Sequence, residues 1–163
     1  MKKVLIILTV LLLSFALFAC GSGSSSNKDK PKDTSKATIG SFEIAIKDYE
    51  VKQDDEGNDA VFITFDFTNN GEEEANYDTA LYGECFQNGV ELDFGDVYIG
   101  EDTTDPSYEN KYKDIQQGTT IEVKEAFILQ DKENPITVKV VSMNEIMGGN
   151  SEGTAEKEFK IAE

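Results

Sequence analysis

Two cysteines, Cys20 and Cys85, are the only thiols in a chain of 163 residues that has no His, no Arg and no Trp. Those absences exclude much chemistry. Ser–His–Asp and Cys–His sites, a His-ligated zinc and a His general base have no residues to be built from. No arginine fork is present to clamp a phosphate or carboxylate. Cys85 reads either as a reactive or intermolecular thiol or as a small apolar core residue facing Leu92, and only lysine could lower its pKa. The run Asp54-Asp55-Glu56-Gly57-Asn58-Asp59 has calcium-ligand chemistry but not EF-hand spacing, because counting back from Gly57 puts Lys52 at position one. Glu101-Asp102-Thr103-Thr104-Asp105 follows no such template either. Both read as solvated acidic turns, so no metal or cofactor is expected. Paired carboxylates for glycoside hydrolysis cannot be picked out among so many acids. Glu125 is the acid with a distinctive position. Alternation from Ile121 and Val123 to Phe127 and Leu129 turns it inward unless a bulge intervenes. An inward carboxylate would have a raised pKa, or would guard an edge strand. Finally, the stretch 95–118 lacks periodicity and holds Tyr98, Tyr108 and Tyr112, half of the six tyrosines. Tyrosine on a long loop reads as a partner-binding surface, or else as a crossover containing an unrecognised element.

The first cysteine has a context of its own. Lys2 and Lys3 precede an apolar run from Val4 to Phe18 that is broken only by Thr9 and Ser14. The run is short for a spanning helix, which needs about 20 residues, and fits a secretory signal. It ends in Leu17-Phe18-Ala19-Cys20, which resembles the lipobox of bacterial lipoproteins. Leu17 and Ala19 match, and Phe18 is bulkier than the usual residue. The resemblance implies a signal peptide over 1–19, a diacylglyceryl group on the Cys20 sulfur, and a cell-membrane, extracytoplasmic location. Two acyl chains hold a protein firmly where one is marginal.

Residues 21–37, GSGSSSNKDKPKDTSKA, contain nothing apolar beyond Ala37 and Pro31. Such a stretch reads as a flexible linker with a reach of about 20–25 Å. It is basic, whereas residues 38–163 carry nine Lys against thirty acids, a net charge of −21. The domain should be repelled by nucleic acid and by anionic lipid. The linker lysines either lean on the membrane or merely aid solubility.

The elements that must position these groups are strands. In 60–68, Val61, Ile63, Phe65 and Phe67 alternate with mostly polar neighbours. In 42–52 the apolar phase switches from Phe42, Ile44 and Ile46 to Tyr49 and Val51, which predicts a β-bulge near Lys47-Asp48. Asn88-Gly89 predicts a two-residue hairpin pairing Gln87 with Val90 and Cys85 with Leu92, so that Val90, Leu92 and Phe94 share the Cys85 face. Ile121–Leu129, Ile136–Val140 and Phe159–Ile161 complete the set, and 75–82 has room for one helical turn. About seven strands at this spacing predict an all-β, antiparallel sandwich over 38–163, with a small closed barrel as the alternative.

Several stretches in order are more specific than any alone: Asp48-Tyr49-Glu50-Val51, Phe65-Asp66-Phe67-Thr68-Asn69-Asn70, Cys85 to Leu92, Lys113 to Gly118, Ile121-Glu122-Val123 and Asn134 to Val138. Their order over 40–142 resembles an uncharacterised immunoglobulin-like domain of Gram-positive surface lipoproteins, one of the domain-of-unknown-function families. The resemblance implies an immunoglobulin-like fold and implies no catalytic residues. The expectation is a non-catalytic binding module, not an enzyme, whose charge steers in a basic protein or peptide. The alternatives are a solute-binding accessory to a transporter, disfavoured because the chain is too short for two closing lobes, a structural spacer, or a carboxylate-based envelope enzyme.

Overall fold

The computed structural model describes residues 33–98 and 105–161. Cys20 and the signal segment lie outside the described residues, as does most of the linker.

Among the described residues, eight strands form two antiparallel sheets. The first has the order β1-β2-β3-β6, from β1 (Lys36–Ile39), β2 (Phe42–Gln53), β3 (Asp59–Asn69) and β6 (Thr120–Ile128). The second has the order β5-β4-β7-β8, from β4 (Leu81–Gln87), β5 (Val90–Glu91), β7 (Ile136–Ser142) and β8 (Ala155–Phe159). Taking β2, β3 and β6 as A, B and E, and β4, β5, β7 and β8 as C, C′, F and G, the strand order is that of an immunoglobulin-like sandwich with β1 added outside A. The expected count of seven misses β1, whose Lys36 and Ala37 fall inside the stretch read as linker. Composition hides this strand because it is four residues long and gives the core only Ile39, with Ala37 packed against it. Backbone pairing holds it: Lys36 stands opposite Ala45, and Thr34 exchanges bonds with Glu156 of β8 at 2.7 and 2.9 Å.

The phase slip in β2 is a bulge, with a register shift between Ile46 and Asp48 against β3. It lets one strand bury Ile44 and Ile46 and then pack Tyr49 and Val51 against the same core. A bulge leaves main-chain groups without ladder partners. Here Lys157 of β8 donates to the carbonyls of Lys47 (2.6 Å) and Ile46 (3.3 Å) from the opposite sheet. The hairpin also forms as expected. Asn88 (φ 55°) and Gly89 (φ 77°) both take positive φ, and Gln87 stands opposite Val90.

Val61, Ile63, Phe65 and Phe67 of β3 meet Leu81, Cys85, Val138 and Val140 of the second sheet in one core. Tyr77, on the one-turn helix α1 (Tyr77–Ala80), completes it, stacking on Phe65 at 5.9 Å and meeting Phe67 edge-on at 5.7 Å. Asn76 caps α1 by accepting a hydrogen bond from Thr79 N at 3.0 Å. Two buried polar side chains, Asn69 and Gln87, use both ends of their amides. Asn69 donates to the carbonyls of Glu73 and Ile115 and accepts from Gly71 N. Gln87 donates to the carbonyls of Asp131 and Asn134 and accepts from the amides of Gln130 and Asp131.

Candidate functional site

The edge formed by β6 in one sheet and β5 in the other is where the sandwich departs from regular pairing. β5 is only two residues long, so β4, fully paired with β7 on one side, has no full neighbour on the other. After Leu92 the chain crosses to the other sheet and pairs with the upper end of β6. Ile128 N donates to Asp93 O at 2.8 Å, and Gly95 N donates to Ala126 O at 2.8 Å. The crossing corrects the expected hairpin face: Leu92 is buried with Cys85, but Phe94 is 44% exposed, lies tilted on Phe127 and meets Tyr82 edge-on. Val90 is exposed as well.

Asp54 and Asp55 strap the crossing segment down. Asp54 accepts from the backbone of Glu56, Asn58 and Asp96 and from the Asn58 amide, at 2.8 to 3.2 Å. Burial opposes its charge, but these donors, led by Asn58, outweigh it and hold the carboxyl below the usual range. Asp55 accepts from Tyr98 N at 2.6 Å. The first acidic turn therefore spends its buried carboxylate on backbone amides. Among the described residues, no group of three or more carboxylates or thiols converges as a metal site would require.

The three tyrosines divide. Tyr98 and Tyr112 are 71% and 52% exposed, on opposite sides of the segment 99–104 that lies outside the described residues. Tyr108 is not on an open loop surface: it is 7% exposed, and it lines the pocket described below. It sits on α2 (Ser107–Asn110) and packs edge-on against Phe62 at 5.9 Å, with Ala60, Ala126 and Val97, on the outer face of the first sheet. Burying such a ring contributes about 1.5–3 kcal/mol. α2 is anchored by Asp105, which accepts from Ser107 and from Lys124. Burial disfavours that charge, yet Lys124 and Ser107 prevail and hold Asp105 at about 2.

Below the crossing segment a pocket of about 210 Å³ opens between Phe94, Asp96, Tyr112, Lys111, Lys124 and the floor residue Glu125. Glu125 points inward as alternation implies, and β6 is an edge strand carrying an inward acid. It is 7% exposed. Its Oε2 accepts from the Tyr77 hydroxyl at 3.0 Å. Opposite stands Gly83, in the middle of β4. A Cβ there would overlap Glu125 Oε2 and press on the Tyr77 hydroxyl at 3.1 Å, so glycine makes the room the carboxyl occupies. Burial pushes the Glu125 carboxyl up to about 7, with the Lys111 ammonium and the Tyr77 hydroxyl pulling the other way. Burial likewise drives the Tyr77 phenol well above 10, helped by Glu125. Lys111 Nζ stands 4.0 Å from Asp78 and 5.0 Å from the Tyr112 ring centroid.

Cys85 is fully buried in the core, and burial raises its thiol to about 12, so the nucleophilic thiolate is scarce at neutral pH. Sequence reasoning found Glu125 by its period but missed Tyr77, Gly83 and Lys111. The only cue for Gly83 was a glycine inside a strand pattern, which marks a close approach.

An immunoglobulin-like sandwich with a buried carboxyl at one open edge is the class these features define. A family model described as a domain of unknown function (DUF5067) matches residues 19–142, and the chain belongs to that family. The match ends before β8, which supplies the last edge of the second sheet. No curated protein matches the chain. Among solved structures, it is similar to a candidate lipoprotein of Staphylococcus aureus, at 16% identity and a TM-score of 0.57, over 78% of this chain and 88% of that one. It is also similar to a protein of Enterococcus faecalis, at 15% identity and a TM-score of 0.53, over 78% and 90%. An uncharacterised β-sandwich protein of Clostridium difficile aligns at 17% identity with a TM-score of 0.48, over 78% and 89%.

Proposed function

We propose that the protein is a membrane-anchored extracytoplasmic lipoprotein, held by a diacylglyceryl group on Cys20, whose sandwich is a non-catalytic binding module for a basic protein or peptide. The Staphylococcus aureus neighbour supports the lipoprotein reading, as does the Leu17–Cys20 motif. The observation that carries the binding reading is how the cations are spent. Residues 33–163 hold ten lysines against 31 acids. Eight of those lysines already stand within 4.0 Å of a carboxylate: Lys36, Lys47, Lys52, Lys111, Lys113, Lys124, Lys132 and Lys139. Lys157 is committed to main-chain carbonyls. Most acids keep no such counter-charge, so the field outside the domain is negative and steers cations toward it.

Binding of an oligolysine peptide to the full chain, followed by calorimetry at about 50 and 500 mM salt, tests this. The reading expects binding that weakens steeply with salt, and none by an oligoglutamate peptide. Binding of neither peptide refutes it. Mass spectrometry of the mature chain tests the anchor: an unmodified Cys20 removes that half of the proposal.

A further inference from the structure

The pocket beneath the crossing segment has features that the charge argument does not use. Its volume, about 210 Å³, lies below the range of small-molecule sites and suits a single side chain. Its walls are partly aromatic, with Phe94 and Tyr112 both well exposed. Its floor is Glu125, more than nine-tenths buried, with one carboxyl oxygen bonded to Tyr77 and the other without a hydrogen bond among the described residues. That second oxygen is not fully enclosed, so it opens into the pocket, where a guest can reach it. Tyr108, which also lines the pocket, has a buried hydroxyl without a hydrogen-bond partner among the described residues.

We infer that this pocket receives one lysine side chain of a partner, its ε-ammonium donating to the open oxygen of Glu125 and its stem lying against Phe94 and Tyr112. The inference rests on the proposed binding of a basic partner and specifies where that partner engages. An anionic guest fits the site poorly. Lys124 is committed to Asp105, and Lys111 already faces Asp78 and the Tyr112 ring. An ammonium meets an open acceptor at the floor, and its stem meets aromatic walls.

Every element packed around Glu125 bears on its charge. α1 presents Tyr77 and Asp78, β4 presents Tyr82 beside Gly83, the crossing segment presents Asp96, the turn after α2 presents Lys111, and β6 itself presents Lys124. With the Glu125 carboxyl at about 7 in the empty site, seating a cation is linked to loss of its proton. Affinity for the ammonium should then rise about tenfold from pH 6 to pH 8.

The test is amide chemical-shift titration of the isotope-labelled full chain. The probes are acetyl-Gly-Lys-Gly-amide, its ε-acetylated form, and the Glu counterpart. The expected result is saturable shifts at residues 94–97, 111–112 and 124–126 with the lysine peptide only. Affinity should be stronger at pH 8 and at least about tenfold weaker in Glu125→Gln and in Tyr112→Ala. Tyr112 is exposed, so the second variant tests the wall without disturbing the core. Equal binding of the acetylated peptide, a response to the Glu peptide, or no pocket shifts with any probe overturns the inference. If oligolysine still binds with undiminished salt dependence in both variants, the pocket assignment fails while the general reading stands. If oligolysine does not bind the parent chain, both fail.

Discussion

Replacing Glu125 by Gln isolates the one ionisation that the core must accommodate. In the folded chain the carboxyl is raised from an ordinary 4.5 to about 7, because burial between the sheets removes water from the charged form. Between those values the native state holds a proton that the unfolded state has released. Stability therefore falls as pH rises through this window. The contribution is fully present below pH 4.5 and lost once pH exceeds 7. A shift from 4.5 to 7 corresponds to about 3 kcal/mol at 1.36 kcal/mol per unit. Gln keeps an acceptor for the Tyr77 hydroxyl and has similar volume, but cannot ionise. Urea unfolding of parent and variant from about pH 4.5 to 9 gives the difference directly, since titration of the other groups is common to both. The variant should gain on the parent by about 3 kcal/mol across this range, a midpoint change on the order of 1–2 M urea for a domain of this size. Two parallel stability curves would refute the reasoning, because they would mean that Glu125 meets water or a compensating charge in the folded state.

Gly83→Ala places a methyl against Glu125 Oε2 and should cost about 1–3 kcal/mol by overpacking. The cost should shrink in a Glu125→Ala background, and a double-mutant cycle by urea unfolding that shows no coupling would separate the two residues. Asp54→Ala removes the acceptor for Asn58, Glu56 and Asp96, so amide exchange at Asn58 and Asp96 should accelerate about tenfold or more while β7 stays protected. With Cys20→Ser, Cys85 should react with a thiol reagent at pH 8 only as fast as the chain opens, since it is buried with its thiol at about 12; prompt labelling of the folded chain would contradict this.

Local pattern settled a good deal before any fold was known. The phase slip between Ile46 and Tyr49 located the bulge, because side-chain direction alternates strictly and a slip has no other local remedy. Asn88-Gly89 located the hairpin, because few residues accept positive φ in succession. Alternation turned Glu125 inward unless a bulge intervened, and left its burial open. The absence of His, Arg and Trp closed off whole classes of site.

Pairing between distant segments was beyond such reasoning. Whether Tyr108 faces solvent depended on Phe62, forty-six positions away, offering an apolar outer face to α2. Whether Asp54 ligated an ion or backbone amides depended on Asp96 crossing from the other sheet. β1 was invisible because four residues with only Ala37 and Ile39 turned to the core make too short a period to read. Most of all, the sequence left open whether Glu125 was buried and what it met there. Only the packing of one sheet on the other brought it to Tyr77 and to the space left by Gly83, because periodicity fixes which way a side chain points and not what stands opposite.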